Sequence, residues 1–247
     1  MVRRLLVVAV AAATIAVWFS PTASAQDCER FAWQCQGYSG PRGQPSPSIF
    51  GMPGQSGASF GQPNPAVYAA LSEEPFPVSA VSLTNIDPAF LRQTVSYFTS
   101  EEPGTIVIDT HDHFLYFVEG NGQAVRYGVG VGREGFGWAG VATIQEKREW
   151  PDWYPPKEML ERQPELLKQM SELQSGLGMA GGPHNPLGAR AMYLWQDNKD
   201  TLFRIHGTVE PSTIGKSVSS GCIRMINQDA IDLYQRAPVG TKVVVMQ

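Results

Sequence analysis

Cysteine is scarce in this sequence, and so are long apolar runs and clusters of positive charge. The chain of 247 residues has three cysteines and a net charge of −4. It has no run of lysine and arginine, which argues against nucleic acid and anionic membrane surfaces as partners. The hydrophobic fraction of 43% is enough for a sizeable core, and nothing in the composition suggests a fibrous or wholly disordered protein.

The one long apolar run lies at the N-terminus. Arg3 and Arg4 precede an apolar stretch over residues 5–19, and small residues form a cleavage site at Ala23-Ser24-Ala25. This arrangement is typical of a signal peptide cleaved before Gln26, since a bilayer span needs about 20 apolar residues. An uncleaved membrane anchor is the alternative. We therefore expect export, with 17 basic and 23 acidic residues in the mature chain and a net charge of −6.

The three cysteines are distributed unequally along the chain. Cys28 and Cys35 are close enough in sequence to form a small disulfide loop in the oxidising environment that export implies, which leaves Cys222 alone. A leftover thiol in an exported protein is a partner for another chain, an inert buried residue or a reactive nucleophile. The residues around Cys222 must decide between these three possibilities.

Composition divides the chain into three parts. Residues 1–25 form the predicted signal peptide. Residues 26–86 form an N-terminal segment, in which the Gly, Pro, Ser and Gln content of 37–66 indicates a flexible linker. Residues 87–247 form the predicted functional domain, beginning with a helix over 87–98 whose first residues are Asp87-Pro88.

Strand patterns dominate the predicted domain, so we expect a mostly β fold, a curved sheet or sandwich. β-branched and apolar runs predict strands over 105–109, 114–118, 124–131, 141–147, 191–195, 202–205 and 241–246. Residues 148–190 differ in composition and predict an insertion over the sheet, with a helix over 157–173. This helical insertion is a candidate lid, and a long structured crossover is the alternative.

Two short motifs near the C-terminus point to a chemical reaction. His206-Gly207 follows a predicted strand, and Ser219-Ser220-Gly221-Cys222 comes shortly after it. A histidine within hydrogen-bond reach activates a thiol, because the free pKa near 8.5 leaves a thiol mostly protonated at neutral pH. The spacing between His206 and Cys222 allows the chain to leave a strand, loop out and return alongside it, so that the two side chains could face each other. The carbonyl of Gly207 could orient the imidazole, and the amides of 221 and 222 could form an oxyanion hole.

These motifs resemble the signature of the L,D-transpeptidase catalytic domain, also called the YkuD domain. The resemblance covers residues 87–247, including Gly128–Gly132 and Asn185–Gly188. It implies that Cys222 is the nucleophile, His206 the general base and Gly207 the residue whose carbonyl orients the base. Many members have histidine where this chain has Ser220, so His206 is the only histidine of the motif.

The resemblance also implies a substrate. In this family the cysteine attacks the carbonyl of the third residue, an L-centre, in a peptidoglycan tetrapeptide stem, and D-alanine leaves. An amine of a second stem then resolves the thioester into a 3–3 cross-link, and carbapenems acylate the same cysteine. We therefore expect a periplasmic enzyme associated with the cell wall that needs no cofactor. The alternatives are attachment of an outer-membrane protein through its N-terminus, L,D-carboxypeptidase activity, and a non-catalytic wall-binding module.

A few more residues complete the predicted site. Ser219, Ser220 and Gly221 are assigned to the oxyanion and substrate-binding set, together with Arg224. Arg224 is a better candidate than Arg190 for binding a substrate carboxylate, because it lies two residues from the thiol. Structural ion pairs are the alternative for both arginines.

Other side chains with binding chemistry have plain structural alternatives. Asp109, His111 and His113 offer metal-ligand groups, but they fall at a predicted turn with no further histidine nearby in sequence, and we predict no metal site. His184 lies in a Gly-Pro-His-Asn-Pro turn and is predicted to be structural. Three aromatic residues of the insertion either bind sugar or peptide or pack its core: Trp150, Trp153 and Tyr154.

Overall fold

The computed structural model describes residues 63–133 and 137–246. The predicted signal peptide, Cys28, Cys35 and most of the predicted linker lie outside these residues, so the statements about them stay predictions. Within the described residues the fold is mostly β, which confirms the predicted fold class. None of the helices in this part of the chain is long and apolar enough to cross a bilayer.

Strands follow one another along the chain with little helix between them. They are β1 (Gln93–Ser96), β2 (Ile106–Asp109), β3 (Phe114–Gly120), β4 (Gln123–Gly128), β5 (Val131–Gly132), β6 (Gly140–Glu149), β7 (Ser171–Leu173), β8 (Gly176–Gly178), β9 (Arg190–Gln196), β10 (Lys199–Thr208), β11 (Ser217–Ser219), β12 (Ile223–Ile226) and β13 (Lys242–Met246). The α-helices are α1 (Lys157–Arg162) and α2 (Asn227–Arg236). Short 3₁₀ helices cover Pro65–Tyr68, Leu83–Asn85, Pro88–Phe90, Pro164–Gln169 and Pro211–Thr213.

Nine of these strands form one mixed sheet in the order β1-β4-β3-β2-β13-β6-β9-β10-β12. β13 runs parallel to β2 and β12 runs parallel to β10, whereas the other neighbours are antiparallel. Two small sheets lie outside it, the parallel pair β5–β11 and the hairpin β7–β8. The parallel pair β10–β12 matters most, because it brings the two predicted motifs together at one edge of the sheet.

The core lies where the apolar strand residues meet α2. Ile106, Ile144, Leu194 and Ile205 are fully buried on the central strands, and Leu233 of α2 is fully buried with them. Burying each such side chain stabilises the fold by about 1.5–3 kcal/mol. The strands next to the site are therefore fixed by the main core of the domain.

The helix predicted over 87–98 is wrong for most of its length. Asp87 does cap a turn, since its Oδ1 accepts from the N–H of Ala89 at 2.9 Å, but the turn is a 3₁₀ helix that ends at Phe90. Thr94 and Val95 then extend into β1 and pair with β4. β-branched residues favour this extended pairing over a helix, and tertiary contacts decide between the two.

The helix predicted over 157–173 is much shorter in the structure. α1 ends at Arg162, and Pro164 begins a 3₁₀ helix in its place. Proline restricts the residue before it and has no N–H to continue an α-helix, which explains the break. Ser171–Leu173 then forms the first strand of the hairpin β7–β8.

The folded part of the chain extends N-terminal to Asp87. Tyr68 is buried, and its hydroxyl donates to Asp229 Oδ2 of α2 at 3.1 Å. Gln228 Nε2 donates to the carbonyl oxygens of Ala69 and Ser79 at 3.1 and 3.0 Å. Buried polar contacts of this kind hold residues 63–86 against the start of α2.

Candidate active site

His206 lies near the end of β10 with its imidazole enclosed by protein. The residue is 5% exposed, and its Nδ1 is 2.6 Å from the carbonyl oxygen of Gly207. A carbonyl only accepts hydrogen bonds, so Nδ1 carries the proton and Nε2 keeps its lone pair in the neutral ring. The imidazole is thus held in the tautomer that a general base needs.

The surroundings of His206 keep the ring neutral. Burial lowers its pKa to about 4, and the positive charges of Arg224 and Arg204 act in the same direction. The carbonyl oxygens of Gly207 and Leu187 raise the pKa, but by less than burial lowers it. At neutral pH the side chain is therefore an imidazole that can accept a proton.

Gly207 lies where the backbone of β10 approaches the start of α2. A Cβ at this position would lie 2.1 Å from Asn227 Oδ1, a contact that no side chain tolerates. That oxygen is already bound, because it accepts from the N–H of Ala189 at 3.0 Å. The close approach therefore requires glycine and keeps its carbonyl fixed beside His206.

Cys222 lies immediately before β12, the strand that runs parallel to β10. The pairing begins at Ile205 with Ile223 and continues at His206 with Arg224. Continued back by one residue, this register places Cys222 across from Arg204, two residues before the histidine. Side chains two residues apart on a strand share a face, which puts the thiol and the imidazole on the same side of the sheet. The spacing of the two motifs had allowed this arrangement without requiring it.

The thiol of Cys222 is held in its protonated form. Although the residue is half-buried, burial of the sulfur raises its pKa, and the backbone N–H and charge of Arg204 only partly oppose this. Sγ donates to the carbonyl oxygen of Leu202 at 3.9 Å. Among the described residues no hydrogen bond joins Sγ to His206, so the resting site is a neutral thiol beside a neutral imidazole.

The turn before the nucleophile is fixed by Ser219. The buried hydroxyl of Ser219 donates to the carbonyl oxygen of Cys222 at 2.6 Å and accepts from the N–H of Gly221 at 3.1 Å. Gly221 has a φ of +119°, in a region that favours glycine. We had predicted that the Gly221 amide donates to an oxyanion. In the structure that N–H already donates to the Ser219 side chain and is not free to do so.

Arg224 and Ser220 line a cleft of about 540 Å³ next to this turn. Arg224 forms an ion pair with Glu210 at 3.1 Å, and the carboxylate partner is largely exposed. Because the pair is open to solvent, its net contribution to stability is about 1 kcal/mol or less. A substrate carboxylate can therefore compete with Glu210 for the guanidinium.

The insertion supplies another wall of this cleft. Trp153, Met159 and Leu166 line it, as does His184, which the sequence had predicted to be only structural. The segment 148–190 thus lines the same cleft as Ser220 and Arg224. Its role in opening and closing stays a prediction.

A second and larger cleft, of about 720 Å³, shares the residues Thr208–Glu210 with the first. Its other walls are Pro77–Ser82 and the start of α2. Neither Ser220 nor Arg224 lines it, so of these two clefts the smaller one adjoins the turn that precedes Cys222.

Arg190 and Trp150 belong to a structural cluster. The guanidinium of Arg190 donates to both oxygens of Glu74, at 2.9 and 2.7 Å, and Trp150 Nε1 donates to the same carboxylate at 3.1 Å. Arg190 is 6% exposed. Of the two alternatives for this arginine, the buried ion pair is the one observed.

The metal-ligand candidates lie at the turn between β2 and β3. His113 Nε2 is 2.9 Å from Ser217 Oγ, and His113 is not a member of the group that the other candidates form. Asp109, His111 and Asp112 have ligand atoms within 4.8 Å of one another, and both His111 and Asp112 are exposed. A hydrogen bond joins His111 Nδ1 to Asp112 Oδ1 at 2.7 Å. The absence of a metal site stays a prediction.

Fold and site together define a class of protein: a mostly β domain with a histidine on one strand and a cysteine immediately before the adjacent parallel strand. Residues 103–245 match the family model of the YkuD L,D-transpeptidase catalytic domain. The chain belongs to this family.

Curated relatives carry the same family name. The "Probable L,D-transpeptidase ErfK/SrfK" of Escherichia coli (strain K12) is 31% identical over 148 residues, covering 57% of this chain and 43% of that protein. The chain therefore spans less than half the length of this relative. The "Putative L,D-transpeptidase in ATP synthase subunits region ORF 5" of Fuscovulum blasticum is 29% identical over 200 residues, covering 79% of this chain and 93% of that protein.

Among solved structures, a Brucella melitensis protein described as a probable carnitine operon oxidoreductase is 55% identical. The match covers 67% of this chain and 99% of that chain, with a TM-score of 0.44.

Proposed function

We propose that this chain is a peptidoglycan L,D-transpeptidase in which Cys222 is acylated by a tetrapeptide stem. Family membership supports the reaction class. The observation that carries the assignment of roles is the 2.6 Å hydrogen bond from His206 to the carbonyl of Gly207. It leaves Nε2 as a neutral base on the same face as the only cysteine among the described residues.

Acylation begins when the thiol turns from the Leu202 carbonyl toward the imidazole. His206 Nε2 takes the thiol proton as Sγ attacks the carbonyl carbon of the third stem residue, its L-centre. The tetrahedral intermediate collapses by breaking the C–N bond to D-alanine, whose amine takes the proton from the imidazolium. A thioester on Cys222 and a free D-alanine result.

Transfer reverses the proton movements. The amine of a second stem attacks the thioester carbon, and His206 removes the proton that the amine loses. The C–S bond then breaks, and the sulfur recovers a proton from the imidazolium. The product is a 3–3 cross-link, and water in place of the amine would give a shortened stem instead.

The developing oxyanion needs donors other than the Gly221 amide, which Ser219 already binds. The next amide along the chain, that of Cys222, is the proposed donor. Removing a donor of this kind typically raises the barrier by about 3–4 kcal/mol. Ser219 then supports the oxyanion site indirectly, by fixing the turn.

Arg224 is the proposed binding group for a carboxylate of the stem. It lines the smaller cleft together with Ser220, and its partner Glu210 is exposed enough to be displaced. Arginine binds a carboxylate with two parallel hydrogen bonds, which orients the stem as well as attracting it. Trp153 of the insertion offers an apolar surface on the facing wall.

The location follows from the sequence and is part of the proposal. A signal peptide over residues 1–25 would export the chain, and a peptidoglycan substrate requires a periplasmic enzyme associated with the cell wall. An outer-membrane protein N-terminus is the other acceptor that the family resemblance suggests.

The test is product analysis with purified protein. Incubation with a tetrapeptide stem substrate is expected to release D-alanine and to yield 3–3 linked dimers by mass spectrometry. Cys222→Ala should abolish both products and the covalent adduct with a carbapenem. A matched control replaces Cys28 and Cys35 with alanine, removes the other two thiols and should keep the activity.

Each outcome has a distinct meaning. Dimers support transpeptidation between stems, whereas stem–protein adducts from digested cell wall would identify protein anchoring. Shortened stems alone would identify a carboxypeptidase. Binding to cell wall with no D-alanine release and no carbapenem adduct would refute the enzyme assignment and leave a wall-binding module.

A further inference from the structure

Strand β10 contains an irregularity immediately across from the nucleophile. Asp200 pairs with Trp195 of β9 and Arg204 pairs with Tyr193, so the register shifts between them. Leu202, in the middle of this bulge, has a φ of +64° and is 76% exposed. A left-handed backbone is unfavourable for a bulky residue such as leucine, so other contacts must hold the bulge in place.

Side chains within the bulge supply those contacts. Asp200 Oδ1 accepts from the N–H of Leu202 at 2.8 Å, and both oxygens of Asp200 accept from the guanidinium of Arg204 at 2.7 Å. Thr201 Oγ1 donates to the carbonyl of Leu194 at 2.6 Å and accepts from the N–H of Phe203 at 3.2 Å. The side chains of Asp200 and Thr201 therefore hold the strained backbone in place, and we call these hydrogen bonds the clasp.

Two backbone groups of the bulge face the sulfur of Cys222. The Leu202 carbonyl oxygen accepts from Sγ at 3.9 Å. The backbone N–H of Arg204 lies close enough to Sγ to oppose the rise in the thiol pKa. The sulfur thus has a backbone acceptor at Leu202 and a backbone donor at Arg204.

We propose that the bulge from Asp200 to Arg204 is a positioning element for the nucleophile, with Leu202 as the residue that holds the resting thiol. Its carbonyl stabilises the S–H form and keeps Sγ away from His206 until substrate arrives. The Arg204 amide then stabilises the thiolate as it forms. This inference rests on the proposed function, because it assigns the bulge a role in the reaction of Cys222.

A variant that tests the bulge must leave the charges near the sulfur unchanged. Arg204 and Arg224 lower the thiol pKa, Asp200 raises it, and His206 is held neutral. Replacing a charged member would alter the thiol through its field as well as through the bulge. Thr201 is uncharged, so Thr201→Val opens the clasp and leaves these charges in place.

The experiment measures alkylation of Cys222 by iodoacetamide between pH 6 and 10, in the full chain with Cys28 and Cys35 replaced by alanine. Arg204 pairs with Tyr193 beyond the residues that Thr201 holds, so its amide stays in place in Thr201→Val. The thiol pKa is therefore expected to fall, because the Leu202 carbonyl no longer holds the S–H form. The alkylation rate at pH 7.5 should rise by roughly 3–10-fold, since one pKa unit changes the thiolate fraction tenfold. Thr201→Ser keeps the hydroxyl and should restore the wild-type profile.

An unchanged pKa and rate in folded Thr201→Val would overturn the proposal. If that variant does not fold, infrared difference spectra of the unmutated bulge, recorded against Cys222→Ala, test the same contact. An S–H stretch shifted below that of a free thiol supports the hydrogen bond to Leu202, and an unshifted band refutes it. Neither measurement uses a peptide stem, so failure of the proposed transpeptidase activity would be seen separately.

Discussion

Lowering the pH from 8 to 5 should leave the acylation of Cys222 almost unchanged, because the base stays neutral across this range. Burial lowers the pKa of His206 to about 4. At pH 5 the neutral fraction of such a histidine is about 0.9, whereas a histidine with the ordinary pKa near 6.5 would be only about 3% neutral. The two cases differ by about 30-fold in rate at pH 5.

The assay follows the loss of carbapenem absorbance under pseudo-first-order conditions between pH 4 and 8. The acid limb of the second-order rate constant reports the essential base of the free enzyme. We expect its midpoint near pH 4. A midpoint between 6 and 7, with a rate at pH 5 some 30-fold below the plateau, would refute the buried neutral base.

Unfolding must be monitored in the same samples. A histidine whose pKa falls on folding contributes stability that is fully present above its unfolded pKa near 6.5 and is lost as the pH falls toward 4. For His206 the loss by pH 5 is about 2 kcal/mol. Tryptophan fluorescence at each pH separates loss of fold from protonation of the base.

Three variants test other contacts of the fold and the site. Glu74→Gln should lower the free energy of unfolding by about 3 kcal/mol, because a buried guanidinium loses its charged partner. Ser219→Ala should cost about 2 kcal/mol through two lost hydrogen bonds and should slow acylation as the turn loosens. Burial raises the pKa of Asp229 to about 7, so the folded state holds this proton more tightly than the unfolded state. Wild-type stability should therefore fall by up to about 4 kcal/mol relative to Asp229→Asn as the pH rises from 4 to 8.

Urea denaturation measures the three changes in the free energy of unfolding, and the chain offers a matched control for each variant. Glu73→Gln, Ser220→Ala and Asp197→Asn alter exposed residues of the same types, and each should change the free energy of unfolding by about 0.5 kcal/mol or less. If the free energy of unfolding of a variant changes no more than that of its control, the contact assigned to that variant does not stabilise the fold. For Asp229→Asn, the contradicting result is an unfolding free energy that follows pH in parallel with the wild type.

Much of the site could be anticipated from the sequence because it depends on short motifs. His206-Gly207 and Gly221-Cys222 predicted a base and a nucleophile on neighbouring strands, and the parallel pairing of β10 with β12 produces that neighbourhood. Glycine at 207 is required by a contact with Asn227, which lies 20 residues further on and has no signature in the local sequence.

Other features depended on contacts that no local pattern contains. Nothing in the sequence marks Leu202 as a strained residue, because its backbone is set by Asp200 and Thr201 within a folded sheet. The partner of Arg190 is Glu74, 116 residues away, and belongs to a segment that composition had assigned outside the domain. The apolar residues over 87–98 have helical spacing, but part of this segment forms β1 and pairs with β4 instead.

The most direct test of the central claim is intact-mass analysis of the protein after incubation with a purified tetrapeptide stem. We expect a mass increase equal to the stem without its terminal D-alanine, located on Cys222 by peptide mapping and absent from Cys222→Ala. An adduct on another residue, or an unmodified wild-type protein that still turns over the stem, would contradict a thioester on Cys222.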